Sequence, residues 1–136
     1  MDEKEFNEIL SILEKGTELN IGLLPNTNIV KYGFDYWGKY IKLFLQVSNK
    51  DIDIINDFIK LNIKINFNKY SGKGNYFIGD GYIKKLEDED NKLDALNYII
   101  KQHHKNNIEY EITLKNIEEY LIFELEINNI HLIKNE

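Results

Sequence analysis

An alternating apolar segment, Tyr-Phe-Ile-Gly-Asp-Gly-Tyr-Ile at residues 76–83, passes through an acidic turn directly into an amphipathic helix, and this strand-then-helix unit restricts the fold more than any other part of the chain. Side chains alternate along an extended backbone, so Phe77, Gly79, Gly81 and Ile83 share one face and Tyr76, Ile78, Asp80 and Tyr82 the other. Two glycines on one face mark either a bend in the sheet or a place where a barrel corner, a helix or a flat ligand comes close. Curvature in a closed barrel is the simpler of these readings.

The remaining pattern supplies strands to close such a barrel. Asp2 to Lys15 carries Phe6, Ile9, Leu10 and Leu13 at helical spacing, with Asp2 and Glu5 as a capping pair and Gly16 as a stop. Leu19 to Leu24 reads as a short strand, Pro25-Asn26 as a turn and Asn28 to Tyr36 as a second strand. After Trp37-Gly38, Ile41, Leu43, Leu45 and Val47 fall on one face, which makes three consecutive antiparallel strands. Asp51 to Lys60 reads as a short helix, Asn62 to Asn68 as a strand, and the turn at 71–75 joins it to the glycine-bearing strand as a second hairpin. Glu89 to Lys105 reads as a helix whose stripe is Leu93, Leu96, Ile100 and His104, with Glu87 to Asp90 at its positive end. The segment 108–117 is ambiguous, Tyr120 to Ile127 alternates clearly, and Asn128-Asn129 precedes a last run, Ile130 to Ile133. Residues 1–136 are thus expected to form one α+β domain, a mostly antiparallel six- to seven-stranded barrel with three helices.

Composition narrows the chemistry. The 136 residues include no cysteine, which removes disulfides, thiolate metal sites and cysteine nucleophiles. Seventeen basic residues against 23 acidic ones give a net charge of −6, so a polyanionic partner such as nucleic acid is disfavoured. Every basic residue is lysine, so an anion here must be held by lysine, backbone N–H groups or hydroxyls and never by a bidentate guanidinium. The charged start, Met-Asp-Glu-Lys-Glu-Phe, is unlike a signal peptide and no segment reaches the length of a membrane span, so the expected location is cytoplasmic, with no membrane partner.

Motifs with sharper chemistry are missing. His103 and His104 point about 100° apart on a helix and so do not share a metal, His131 has no evident second ligand, and the run 87–90 lacks the pattern of a calcium loop; no metal site is expected. Gly72-Lys73-Gly74 is not a phosphate-binding loop, and no serine sits in a nucleophile elbow. The aromatics Tyr32, Phe34, Tyr36, Trp37 and Tyr40 read as barrel core and hairpin tip.

In order and spacing, these parts resemble the split-barrel flavoproteins related to pyridoxamine 5′-phosphate oxidase, especially the nitroimidazole-resistance and general-stress branches. The residues that carry the resemblance are the hairpin from Ile29 to Phe44, the helix start Asn49-Lys50-Asp51-Ile52-Asp53, the strand at 63–67, and above all residues 76–83 followed by Leu86-Glu87-Asp88 and a helix. The resemblance implies a homodimer with flavin mononucleotide (FMN) in a groove between subunits. Its phosphate would be held after the third strand by Gln46, Ser48, Asn49 and Lys50, and its ring bordered by Ile29, Val30, Lys31 and Tyr32. It also implies an FMN-dependent oxidoreductase acting on a small molecule, with the cofactor supplying the chemistry and no side chain named as catalytic. Gln46 stands where the family often has histidine, Asp51 where it often has a basic residue, and Lys31 where proline is frequent. Those departures support an alternative, a non-catalytic dimeric ligand-binding module of the same fold that has lost the flavin.

Overall fold

The computed structural model describes residues 3–21, 29–47, 65–69, 76–109 and 120–133. In chain order these form α1 (Glu3–Glu14), β1 (Glu18–Ile21), β2 (Ile29–Trp37), β3 (Tyr40–Val47), β4 (Ile65–Lys69), β5 (Tyr76–Lys85), α2 (Glu89–Lys105) and β6 (Leu121–Ile133). The strands close into a barrel in the order β1-β2-β3-β6-β5-β4, every neighbouring pair antiparallel. The three consecutive strands and the second hairpin are therefore present, and closure comes from β1 pairing with β4 and β3 with β6. The expected turns at 25–26 and 71–75, the helix at 51–60 and most of the ambiguous segment lie outside the described residues.

Alternation explains the interior. Val30, Tyr32, Ile41, Leu43, Leu45, Val47, Phe123, Leu125 and Ile127 point inward and are buried together, and Phe6, Ile9 and Leu13 of α1 pack into the same cluster. At about 25 cal/mol per Å² of apolar surface, burial of such side chains contributes roughly 1.5–3 kcal/mol each. The β2–β3 hairpin turns over two residues, with Gly38 at φ +57°. In β6 the two expected runs are one strand. A register irregularity opposite Ile78 and Asp80 is accommodated at Asn129, whose φ is +52°, and it resets the alternation so that Ile127 and Ile130 both face the core.

Helix α2 lies on the outside of the barrel. Asp88 caps it by accepting from the Asn91 N–H at 3.1 Å, and Glu89 and Asp90 add negative charge to the first turn, as the acidic run suggested. Its buried face differs from the expected stripe. Lys92, Ala95, Leu96, Ile99, Gln102 and His103 are buried, Leu93 and Ile100 are only partly so, and His104 is exposed. The cause is a close backbone approach at Gly33 of β2, where a Cβ would stand only 2.4–2.5 Å from the main chain of Tyr98 and Ile99. That contact turns the helix so that its polar residues 102 and 103 face the protein. Gly81 serves a similar end within the sheet, since a Cβ there would meet the Glu126 carbonyl at 2.6 Å. The glycine-bearing strand does lie in a closed barrel, and at Gly81 the close neighbour is the backbone of the adjacent strand rather than a helix or a ligand.

Candidate functional site

Strands β2 and β3 bring the described members of the expected site into one register. Lys31 lies opposite Gln46, and Glu18 of β1 lies opposite Lys31, so the three form a polar row across the outer face of three strands. Ser48, Asn49 and Lys50 lie outside the described residues. Val30 and Tyr32 turn the other way, each only 1% exposed inside the core. Residues 29–31 of β2 are all laddered to β1 and Lys31 to β3 as well, so a ligand at Lys31 meets the outer face of the sheet rather than a strand edge. Lys31 and Gln46 are the described side chains of the expected set that point that way.

The Gln46 carboxamide has a feature that periodicity does not reveal. Its Oε1 is buried and has no hydrogen-bond partner among the described residues. An unsatisfied buried acceptor costs about 1–3 kcal/mol, so it calls for an N–H or O–H donor. The ring system of a flavin carries such an N–H on its polar edge, and the Lys31 ammonium carries charge suited to an anionic group. The described residues therefore fit a flavin, and the amide oxygen suits the ring better than the phosphate, which needs donors. His103 stands on the helix side of this row. Burial pushes its imidazole below the ordinary histidine value and the nearby Lys31 and His104 charges add to that, while a bond between its Nδ1 and the Ile99 carbonyl at 2.8 Å works in the opposite sense.

Next to the row, α1, β2 and α2 are tied by a set of bonds to the last carbonyls of α1. The Tyr32 hydroxyl donates to the Leu13 carbonyl at 2.6 Å. The Gln102 amide donates to the carbonyls of Leu13, Glu14 and Gly16 at 2.8, 3.2 and 2.6 Å, and Asn106 donates to Glu14 at 3.2 Å. Lys105 pairs with Glu14. Helix C-termini leave such carbonyls without intrahelical donors, and α1 has no basic residue in its last turn, so α2 provides the cap from outside. Burial pushes the Tyr32 hydroxyl well above the ordinary tyrosine range, with Glu14 adding to the effect and Gly16 opposing it, so it remains a donor at any physiological pH. This role for Tyr32, Gln102 and Asn106 leaves no local trace, because each partner is supplied by a distant part of the chain.

Comparison with solved structures identifies the architecture. The chain superposes on a protein from Bacteroides thetaiotaomicron provisionally assigned to 5-nitroimidazole antibiotic resistance, with a TM-score of 0.59 and 15% identity over 96% of this chain and 82% of that one. It is similar also to a conserved protein of unknown function from Corynebacterium diphtheriae, with a TM-score of 0.57 and 14% identity over 97% of this chain and 93% of that one. No family model and no curated protein matches the sequence. The chain has the split-barrel fold of the pyridoxamine 5′-phosphate oxidase-like proteins. Among the described residues no helix is long and apolar enough to cross a membrane.

Proposed function

We propose that this protein binds FMN as a homodimer and passes electrons or hydride to a small-molecule acceptor. The observation that carries the reading is the split barrel itself, shared across 96% of the chain with the provisionally assigned 5-nitroimidazole resistance protein. The buried Gln46 oxygen, which has no partner among the described residues and lies beside Lys31, supports it at residue level. Bound flavin would supply the redox chemistry. The protein's own residues would orient it: Gln46 accepting from a ring N–H, Lys31 placing positive charge beside the anionic portion, and a second copy closing the groove against water.

The purified protein should be yellow, or become so on adding FMN, with absorbance between 350 and 500 nm that stays with the protein on gel filtration. A colourless sample that takes up no FMN removes the reading. A sedimentation mass equal to one chain removes the shared groove.

A second reading has its own observation. A buried acceptor at Gln46, in a chain without arginine, is poorly suited to a phosphate dianion, which favours a module of the same fold that binds another ligand. Titration with FMN and with riboflavin separates the two. A phosphate-binding site makes FMN at least about tenfold tighter, since a charged hydrogen bond contributes about 1.5–3 kcal/mol; equal, weak affinities favour the second reading.

A further inference from the structure

On the outer face of the hairpin tip, beneath the first turns of α2, lies a cleft of about 290 Å³. It adjoins the Lys31–Gln46 row at one end, where Phe44 at its base is two residues along β3 from Gln46, about 7 Å at 3.3 Å per residue, and extends away from it to Trp37, six residues along β2 from Lys31. Its apolar base is the buried Phe44 and Leu86, and the Tyr98 ring stacks on Phe44 with centroids 4.6 Å apart. Asp35 is fixed in orientation, its Oδ2 accepting from the Tyr98 hydroxyl at 3.1 Å and its Oδ1 from the Tyr36 N–H at 2.9 Å. A carboxylate offers about four acceptor positions, so those two bonds leave capacity for a ligand. Asp94, one turn before Tyr98 on the same helix face, stands exposed at the rim.

The charges in the cleft point to the class of ligand. Both lysines that line it are engaged by carboxylates, Lys42 with Glu124 at 2.7 Å and Glu126 at 3.4 Å, and Lys84 with Glu124 at 3.1 Å. Asp35, Asp94 and Glu124 against Lys42 and Lys84 leave the lining one negative charge in excess. The cleft already stabilises an ammonium: Lys42 Nζ sits 5.0 Å from the centroid of the Trp37 ring while paired with the buried Glu124. A ring face and carboxylates converging on one cation are the elements that recognise organic ammonium groups.

We propose that this cleft binds a small organic ammonium, a primary amine on an aromatic or short apolar body, with the amine between Asp35 and Asp94 and the body against Trp37 and Tyr98. Trp37 is the chain's single tryptophan, so intrinsic fluorescence reports on the cleft directly. Benzylamine should change that fluorescence saturably, benzyl alcohol should bind at least tenfold more weakly, and benzoate should give no saturable change. Asp94→Asn, at an exposed helix position, should weaken benzylamine at least fivefold with an unchanged circular dichroism spectrum, and Asp35→Asn should do the same. Equal affinities for the amine and the alcohol, a response that never saturates, or full affinity in both variants overturns the proposal. Because bound flavin absorbs where tryptophan emits, the three compounds are compared on one preparation of constant flavin content, and the ranking of amine over alcohol stands whichever way the flavin reading falls.

Discussion

At the seam where α1, β2 and α2 meet, Tyr32, Gln102 and Asn106 satisfy the carbonyls that end α1, and the helix backbone rests directly on Gly33. At the tip of the β2–β3 hairpin, by contrast, Tyr36, Trp37 and Tyr40 are each about half exposed, Tyr82 is 72% exposed, and the face between them is held by ion pairs among Lys42, Lys84, Glu124 and Glu126. Both regions use strand β2, yet one is tied by directional bonds to helix-end carbonyls at the edge of a cleft of about 410 Å³, and the other leaves aromatic surface to solvent. The difference separates stability from recognition: buried, over-determined contacts fix where α2 lies, and the helix so placed forms one wall of an open cleft.

Substitution at Gly33 should break the contrast most severely. Gly33→Val places atoms inside the van der Waals distance of the α2 main chain, and because backbone cannot yield as a side chain tip can, the expected loss is about 3 kcal/mol or more by chemical denaturation. Gln102→Ala removes the shortest bond to the Gly16 carbonyl, while Leu13 keeps Tyr32 and Glu14 keeps Asn106 as donors, and should cost about 2 kcal/mol; a loss under about 0.5 kcal/mol would mean that water from the adjoining cleft replaces the amide. Tyr32→Phe removes one bond to a carbonyl that Gln102 also reaches, so about 1 kcal/mol is expected.

The hairpin face should respond to acid instead. Burial works to raise the Glu124 carboxyl, but hydrogen bonds from Lys42 and Lys84 outweigh it and hold the group below its ordinary value. A folded-state value below the unfolded one gives stability that is present above about pH 4.5 and is lost as pH falls through the folded value. Denaturation curves for wild type and Glu124→Gln should therefore converge in acid, with about 1 kcal/mol between them near neutrality. At the small end, Tyr82→Ser should change stability by less than about 0.5 kcal/mol, since its ring is largely solvated. A larger loss would show that this face is covered in solution and would blur the distinction between the two regions.

Much of the barrel was legible along the chain because its signals are local. The alternation of Ile41, Leu43, Leu45 and Val47 needs only a period of two, and the bounds of α2 follow from the acidic run at 87–90 and a basic last turn. The outward pairing of Lys31 with Gln46 was likewise approachable, since both were placed in the expected site, whereas the inward turn of Val30 and Tyr32 set them in the core. The rotation of α2 was not legible. A 3.6-residue period admits neighbouring faces, and the choice between Ile100–His104 and Ile99–His103 was made by a contact with Gly33, more than sixty residues away.

Sequence alone determined the succession of strands, the capped helix, the absence of thiol and guanidinium chemistry, and the resemblance that named the barrel. Tertiary structure decided the strand partners that close it, the irregularity at Asn129 that keeps Ile130 inside, the capping of α1 by residues of α2, and the gathering of Asp35, Trp37 and Asp94 around one cleft. The physical reason is range: backbone periodicity and caps act within a turn or a strand, while a hydrogen-bond partner or a steric stop from the far side of the chain exists only once the sheet has closed.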